Sequence, residues 1–156
     1  MPIGHVRVEH VAPVTVAVVR GRAAPGELSR AIPAACGEVW AYAREATLRD
    51  PGRHVAVYFD GAVTYECGVE VAEPFTGTAR VMCSATPAGM VATVTLIGPY
   101  SELAAAHAAI RAWGAGAGHA FAGTSWEVYG HWTDDSTKLR TDVFYLLAPV
   151  GATSNA

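Results

Sequence analysis

Glu127 stands in the stretch Thr124-Ser-Trp-Glu-Val-Tyr-Gly-His-Trp132, one carboxylate among four aromatic or imidazole rings. Side chains alternate along an extended chain. Ser125, Glu127, Tyr129 and His131 would therefore share one face, and Trp126, Val128 and Trp132 the other. Two chemistries fit such a strand. Glu127 is either a solvated carboxylate beside a core, the reading composition alone favours, or the anchor of a pocket for flat cationic molecules. In a dry pocket an ionised carboxylate is costly until a cation or donor joins it. A delocalised aromatic cation offsets that cost while its ring lies on Trp or Tyr faces.

Other candidate pocket walls are Trp40, Tyr58, Trp113, Phe144 and Tyr145. Phe144 and Tyr145 are neighbours on one strand, so only one of them can look the same way as Glu127. His107 falls on the apolar stripe of a helix and reads as a satisfied core histidine rather than a base. Ser101 reads as a helix cap and not as a nucleophile, since no partner base lies near it in sequence.

Composition limits the rest. The chain has 156 residues, 51% of them hydrophobic and 16% charged, which excludes a disordered chain and suits one domain or a duplicated one. Net charge is −3, and Lys and Arg are scattered. A nucleic-acid partner calls for a clustered basic face. No stretch is long and apolar enough to span a membrane, and MPIGHVRVEH lacks the basic start of a secretion signal. Cys36, Cys67 and Cys83 show no paired spacing, and the six histidines are dispersed. No metal or cofactor is expected, and reduced, mostly buried thiols suit a cytoplasmic location.

The elements that must position these residues follow from periodicity. Val14 to Arg20 is a continuous β-branched run, the mark of a buried strand. Leu28, Ile32, Cys36, Val39 and Ala43 recur at helical spacing, with Pro33 expected to kink the helix or restart it. A turn is expected at Asp50-Pro51-Gly52. Val55–Asp60 and Val63–Val71 read as a hairpin around Gly61. Its second strand alternates, which assigns Glu66 and Glu70 to a solvated face. The order then repeats. It gives a short strand over 80–85, a strand over 91–97 and a helix opened by Gly98-Pro-Tyr-Ser-Glu-Leu103 and closed by Trp113. A Gly-rich loop and strands over 125–132 and 141–147 complete it. Pro25-Gly-Glu-Leu28 before one helix matches Pro99-Tyr-Ser-Glu-Leu103 before the other. The prediction is a single domain over 1–156 of class α+β, with tandem β-α-β-β repeats near 14–73 and 80–150. They would form one antiparallel sheet carrying two helices on one face, with Trp40 and Trp113 at equivalent places.

Ile97-Gly-Pro-Tyr-Ser-Glu-Leu103, Pro87-Ala-Gly89, Trp113, Trp126-Glu-Val-Tyr129 and the closing Thr141-Asp142-Val143 together resemble the GyrI-like small-molecule-binding domains. These are also known as AraC-type effector-binding domains. The resemblance runs from about Val14 to about Val150. It implies a duplicated fold with a ligand cleft between the halves and Glu127 as the carboxylate that meets cationic aromatic drugs. The expected function is binding of bulky, planar, hydrophobic cations by a stand-alone domain. Trp40, Tyr58, Trp113, Phe144 and Tyr145 would line the site. Some relatives hydrolyse strained cyclopropane-containing genotoxins, so a second expectation is an enzyme using Glu127 with Tyr129 or Tyr145. A third is a gyrase- or protein-binding module, which would present an exposed face to a protein partner.

Overall fold

The computed structural model describes residues 3–46, 48, 51–59 and 64–149. The turn expected at Asp50–Gly52 and the hairpin loop at Gly61 fall partly or wholly outside these residues. The chain divides into two compact units, Pro13–Pro87 and a second that joins Met1–Ala12 to Ala88–Ala156. Each is α+β, with four antiparallel strands and one long helix packed on one face.

In the unit Pro13–Pro87, β2 (Thr15–Arg22), β3 (His54–Phe59), β4 (Thr64–Glu70) and β5 (Met82–Ala85) lie in the order β3-β4-β2-β5. Helix α1 (Leu28–Glu45) covers one face, burying Ile32, Ala35, Val39 and Ala43. Pro33 sits inside this helix, so no new helical segment starts there. The apolar stripe on both sides of Pro33 holds the helix against the sheet through the lost hydrogen bond. The alternation assigned to β4 also fails in its middle, at Glu66 and Gly68. Tyr65 to Val69 are all buried, and Glu66 is 4% exposed. Glu66 lies on the face away from α1, where Arg20 Nη2 reaches it at 2.5 Å and Ser84 Oγ donates at 2.7 Å. Partners on β2 and on β5 beyond it take it out of water, and a single-strand pattern cannot see them. Glu70 is half-buried and pairs with Arg53 at 3.0 Å.

The other unit holds β1 (Arg7–Val11), β6 (Gly89–Ile97), β7 (Phe121–Tyr129) and β8 (Arg140–Leu147) in the order β1-β6-β8-β7. Helix α2 (Leu103–Ala117) covers Ala92, Val94, Leu96, Val143 and Leu147 with Ala106 and Ile110. Burying a side chain such as Ile110 contributes about 1.5–3 kcal/mol. Trp113 does not close this helix, which runs on through Gly114 and Gly116. Gly114 is required where it is, because a Cβ there would lie 2.5 Å from the Phe121 ring. The helix ends at Gly118, whose φ of 72° suits the left-handed cap. Ser101 lies in the short 3₁₀ turn Tyr100–Glu102 ahead of α2, and no side chain caps the helix. The expected Ser101 cap is thus corrected, since the 3₁₀ turn moves the helix start to Leu103.

The two units share one plan. Leu28 and Leu103 begin the helices, and Arg20 opposite Glu66 in one unit matches Thr95 opposite Asp142 in the other. Carrying these registers outward aligns Ala56 with Glu127, Tyr58 with Tyr129 and Val69 with Tyr145. Along the helices Ile32 aligns with His107 and Cys36 with Arg111. Trp113 aligns with Glu38, not with Trp40. Two strands depart from the predicted repeat. β5, placed by sequence at the head of the second repeat, pairs with β2 in the first unit. β1, which the sequence reading passed over, pairs with β6 in the second.

Candidate functional site

β7 alternates as its sequence requires, with Ser125, Glu127 and Tyr129 on one face and Trp126 and Val128 on the other. Its register with β8 places Ser125 across from Tyr145 and Glu127 across from Val143. Val143 belongs to the core under α2, so Glu127 looks toward the helix and is not solvated. It is 5% exposed. His107 and Arg111 lie one helical turn apart on α2, on one side of it.

These side chains form a continuous hydrogen-bonded chain. His107 Nε2 lies 2.6 Å from Glu127 Oε2, and His107 Nδ1 lies 2.7 Å from the Tyr145 hydroxyl. Arg111 Nη1 donates to the Tyr145 oxygen at 3.1 Å. Tyr129 donates its hydroxyl proton to Glu127 Oε1. One neutral tautomer serves every atom. Arg111 donates to Tyr145, Tyr145 to Nδ1 of His107, and Nε2–H of His107 to Glu127. The cost of removing the carboxylate from water is offset at both its oxygens. Burial pushes the Tyr145 phenol above its ordinary range, against the hydrogen bond and charge of Arg111.

Rings surround this chain. Phe121 meets Tyr145 edge-on at 5.3 Å, and Tyr100 meets Tyr129 edge-on at 5.7 Å. Tyr100 is 39% exposed, so it stands at the rim. Burial raises the phenol of Tyr100 as well. The arrangement can attract a cation, donate protons from phenols, and hold flat apolar surface. Among the described residues no three His, Cys, Asp or Glu side chains gather as metal ligands.

The residues expected to act together are brought together in part. Glu127, Tyr129 and Tyr145 converge. Phe144 turns to the opposite face and stacks on Trp126 at 5.1 Å, which settles which of the neighbouring pair looks toward Glu127. Trp113 packs at the margin of the apolar core and stacks on His119 at 4.8 Å. Trp40 and Tyr58 belong to the unit Pro13–Pro87. There Trp40 meets His54 edge-on at 5.6 Å, and Tyr58 lies across from Tyr65. His131 and Trp132 fall beyond the end of β7 and are exposed. Sequence reasoning missed His107 and Arg111. Their i, i+4 spacing, with one member on the apolar stripe, was the available signal.

A family model described as the GyrI-like small molecule binding domain matches residues 5–147. The chain belongs to the GyrI-like family. No curated protein matches this GyrI-like chain, but solved structures share its fold. It is similar to the EcmrR C-terminal domain at TM-score 0.74 and 16% identity, covering 92% of this chain and 97% of that one. Within EcmrR bound to DNA it spans 58% of the EcmrR chain. SAV2435 bound to tetraphenylphosphonium matches at TM-score 0.63 and 9% identity, covering 97% and 99%. A hydrolase from Listeria innocua matches at TM-score 0.61 and 13% identity, covering 92% and 91%. At these identities the likeness is one of fold. No helix among the described residues is long and apolar enough to cross a membrane.

Proposed function

We propose that this GyrI-like domain binds bulky, planar, hydrophobic cations, with Glu127 as their anchor. The observation that carries the reading is the place of Glu127 on the repeated plan. Glu66 and Asp142 occupy matching positions in the two units, both on the face away from the helix. A carboxylate that recurs in both halves serves the scaffold. Glu127 has Ala56 as its counterpart, so it is the buried acid that one unit holds under its helix and the other does not. The rings of Tyr100, Tyr129, Tyr145 and Phe121 give a cation aromatic faces beside that charge. Trp113, in the same unit, remains a candidate contact. SAV2435, a fold relative, is a protein solved with tetraphenylphosphonium, a bulky hydrophobic cation whose separate rings, and not the tetrahedral ion as a whole, are flat. The test is titration with tetraphenylphosphonium and with a planar cationic dye, followed by tryptophan fluorescence. Saturable quenching by both is expected. No binding by either, in protein shown to be folded, would end the reading.

A second reading rests on the Tyr129–Glu127 contact and the His107–Tyr145 link beside it. A carboxylate and two phenols joined through an imidazole can move a proton to a leaving group while Glu127 directs water. A strained, cyclopropane-bearing electrophile is the substrate class in which such modest help is enough. Incubation with a cyclopropane-bearing alkylator and mass spectrometry would detect the ring-opened, water-added product. Equal product from Glu127→Gln would leave the domain a binder.

A further inference from the structure

Two thiols of the unit Pro13–Pro87 lie outside the site just described. Cys36 is on α1 and Cys67 on β4, and their sulfurs stand 2.8 Å apart although 31 residues separate them. Cys67 lies opposite Val19 and Ala56, on the face that α1 covers, and is fully buried. The carbonyl of Ile32, one helical turn before Cys36, lies 3.5 Å from the Cys67 sulfur. Cys36 is half-buried and so can be reached from outside. The third cysteine, Cys83, is exposed on β5.

The spacing discriminates between uses of such a pair. Two thiolates on a tetrahedral metal, each at about 2.3 Å from the ion, stand well over 3 Å apart. These sulfurs are closer than that. A covalent S–S bond of about 2.05 Å, in contrast, needs them to approach by less than about 1 Å.

We infer that Cys36 and Cys67 form a peroxide-oxidisable dithiol, in which Cys36 attacks the oxidant and Cys67 resolves it to a disulfide joining α1 to β4. The Cys36 thiolate attacks one oxygen of hydrogen peroxide, the O–O bond breaks, and hydroxide leaves to become water. Cys36 is then a sulfenic acid. Cys67, having lost its proton, attacks the Cys36 sulfur, the S–O bond breaks, and the departing hydroxide takes up that proton as a second water. Two thiols have given up two electrons and two protons, and one peroxide has become two waters. The roles follow from access, since the half-buried sulfur meets the oxidant and the buried one cannot. The hydrogen bond shared with Cys67 also holds the Cys36 thiol below its ordinary value, against the opposing effect of burial.

The experiment uses the Cys83→Ser chain, so that no third thiol can exchange. It is treated with hydrogen peroxide, denatured, alkylated with iodoacetamide, digested and read by mass spectrometry. The expected product is a peptide pair joined through Cys36 and Cys67. Dithiothreitol should remove the link, and the oxidised protein should melt at a higher temperature than the reduced one. In Cys67→Ser/Cys83→Ser, dimedone should trap Cys36 as its sulfenic acid adduct. The inference is overturned if the circular dichroism is native and both cysteines are still alkylated after peroxide. It is equally overturned if Cys36 proceeds to sulfinic acid while Cys67 remains a thiol. Dimedone capture of Cys67 in Cys36→Ser/Cys83→Ser as fast as that of Cys36 would reverse the assigned roles.

Discussion

Under α1 the sheet presents Ala56 and Val69, and the helix answers with Ile32. At the matching positions under α2 stand Glu127, Tyr145 and His107. The same plan therefore carries two different interfaces. One is apolar, and its helix is held by packing and by a pair of thiols. The other replaces packing with a hydrogen-bonded chain, and apolar burial lies beside it, at Ala106, Ile110 and Leu147. A helix over a sheet needs only part of its contact to be apolar. The remainder is available for chemistry, provided that every buried polar atom finds a partner.

The largest effects that test this contrast concern the packed positions. Ile32→Ala and Ile110→Ala should each destabilise folding by about 2–5 kcal/mol in urea titrations. A much smaller loss at Ile110 would mean that the polar chain, and not the packing, holds α2 in place.

Next in size is the split between carboxylates. Glu127→Gln should weaken binding of a cationic dye by about 1.5–3 kcal/mol, the range for contacts with a charged group. Glu66→Gln should leave that affinity unchanged and be felt instead in stability. Should both substitutions weaken binding alike, the distinction between recurring and unique acids fails. A neutral dye of the same shape should lose less on Glu127→Gln, and an equal loss would remove charge from the mechanism.

A double-mutant cycle on His107→Phe and Glu127→Gln sharpens the contrast further. The two should couple in stability by about 0.5–3 kcal/mol, as directly bonded groups do. Simple additivity would show that the His107 link holds nothing.

The smallest effect lies in the other unit. Burial holds His54 below its ordinary value, and its Nε2 is buried with no hydrogen bond. The unfolded chain therefore takes up this proton more readily than the folded one. Stability from this group is complete above about pH 6.5 and declines as the pH falls toward the lowered folded value. His54→Phe, which keeps a ring against Trp40, should flatten that slope in melting temperatures measured from pH 7.5 to 5.

Much of the fold was legible because period and composition agree with packing. Ile32, Val39 and Ala43 announced α1, and the β-branched runs announced β2 and β6. The failures share a cause. Pro33, Gly114 and Glu66 each break a local rule and are held by a partner distant in sequence: the sheet under α1, the ring of Phe121, and Arg20 with Ser84. The site was half legible for the same reason. Glu127, Tyr129 and Tyr145 stood out as polar or amphipathic residues on strands with clear alternation. His107 did not, because a histidine on an apolar stripe reads as core until the strand beneath it is known to carry a carboxylate.

The outer strands have a consequence for synthesis. β1 leaves the ribosome ahead of Pro13–Pro87, yet its partner β6 is made only after the whole of that unit. β5 meets the opposite fate, since β2 is already waiting when it emerges. Because chains tend to fold unit by unit as they are made, Pro13–Pro87 can close while β1 is still unpaired. A waiting strand is a template for a neighbouring chain. Arg7, Glu9 and His10 give this one charged or polar side chains, and in the finished fold they stay exposed. The composition of β1 thus answers a need that is greatest during translation, when both its edges are open, and that persists at its outer edge after β6 has paired with the inner one.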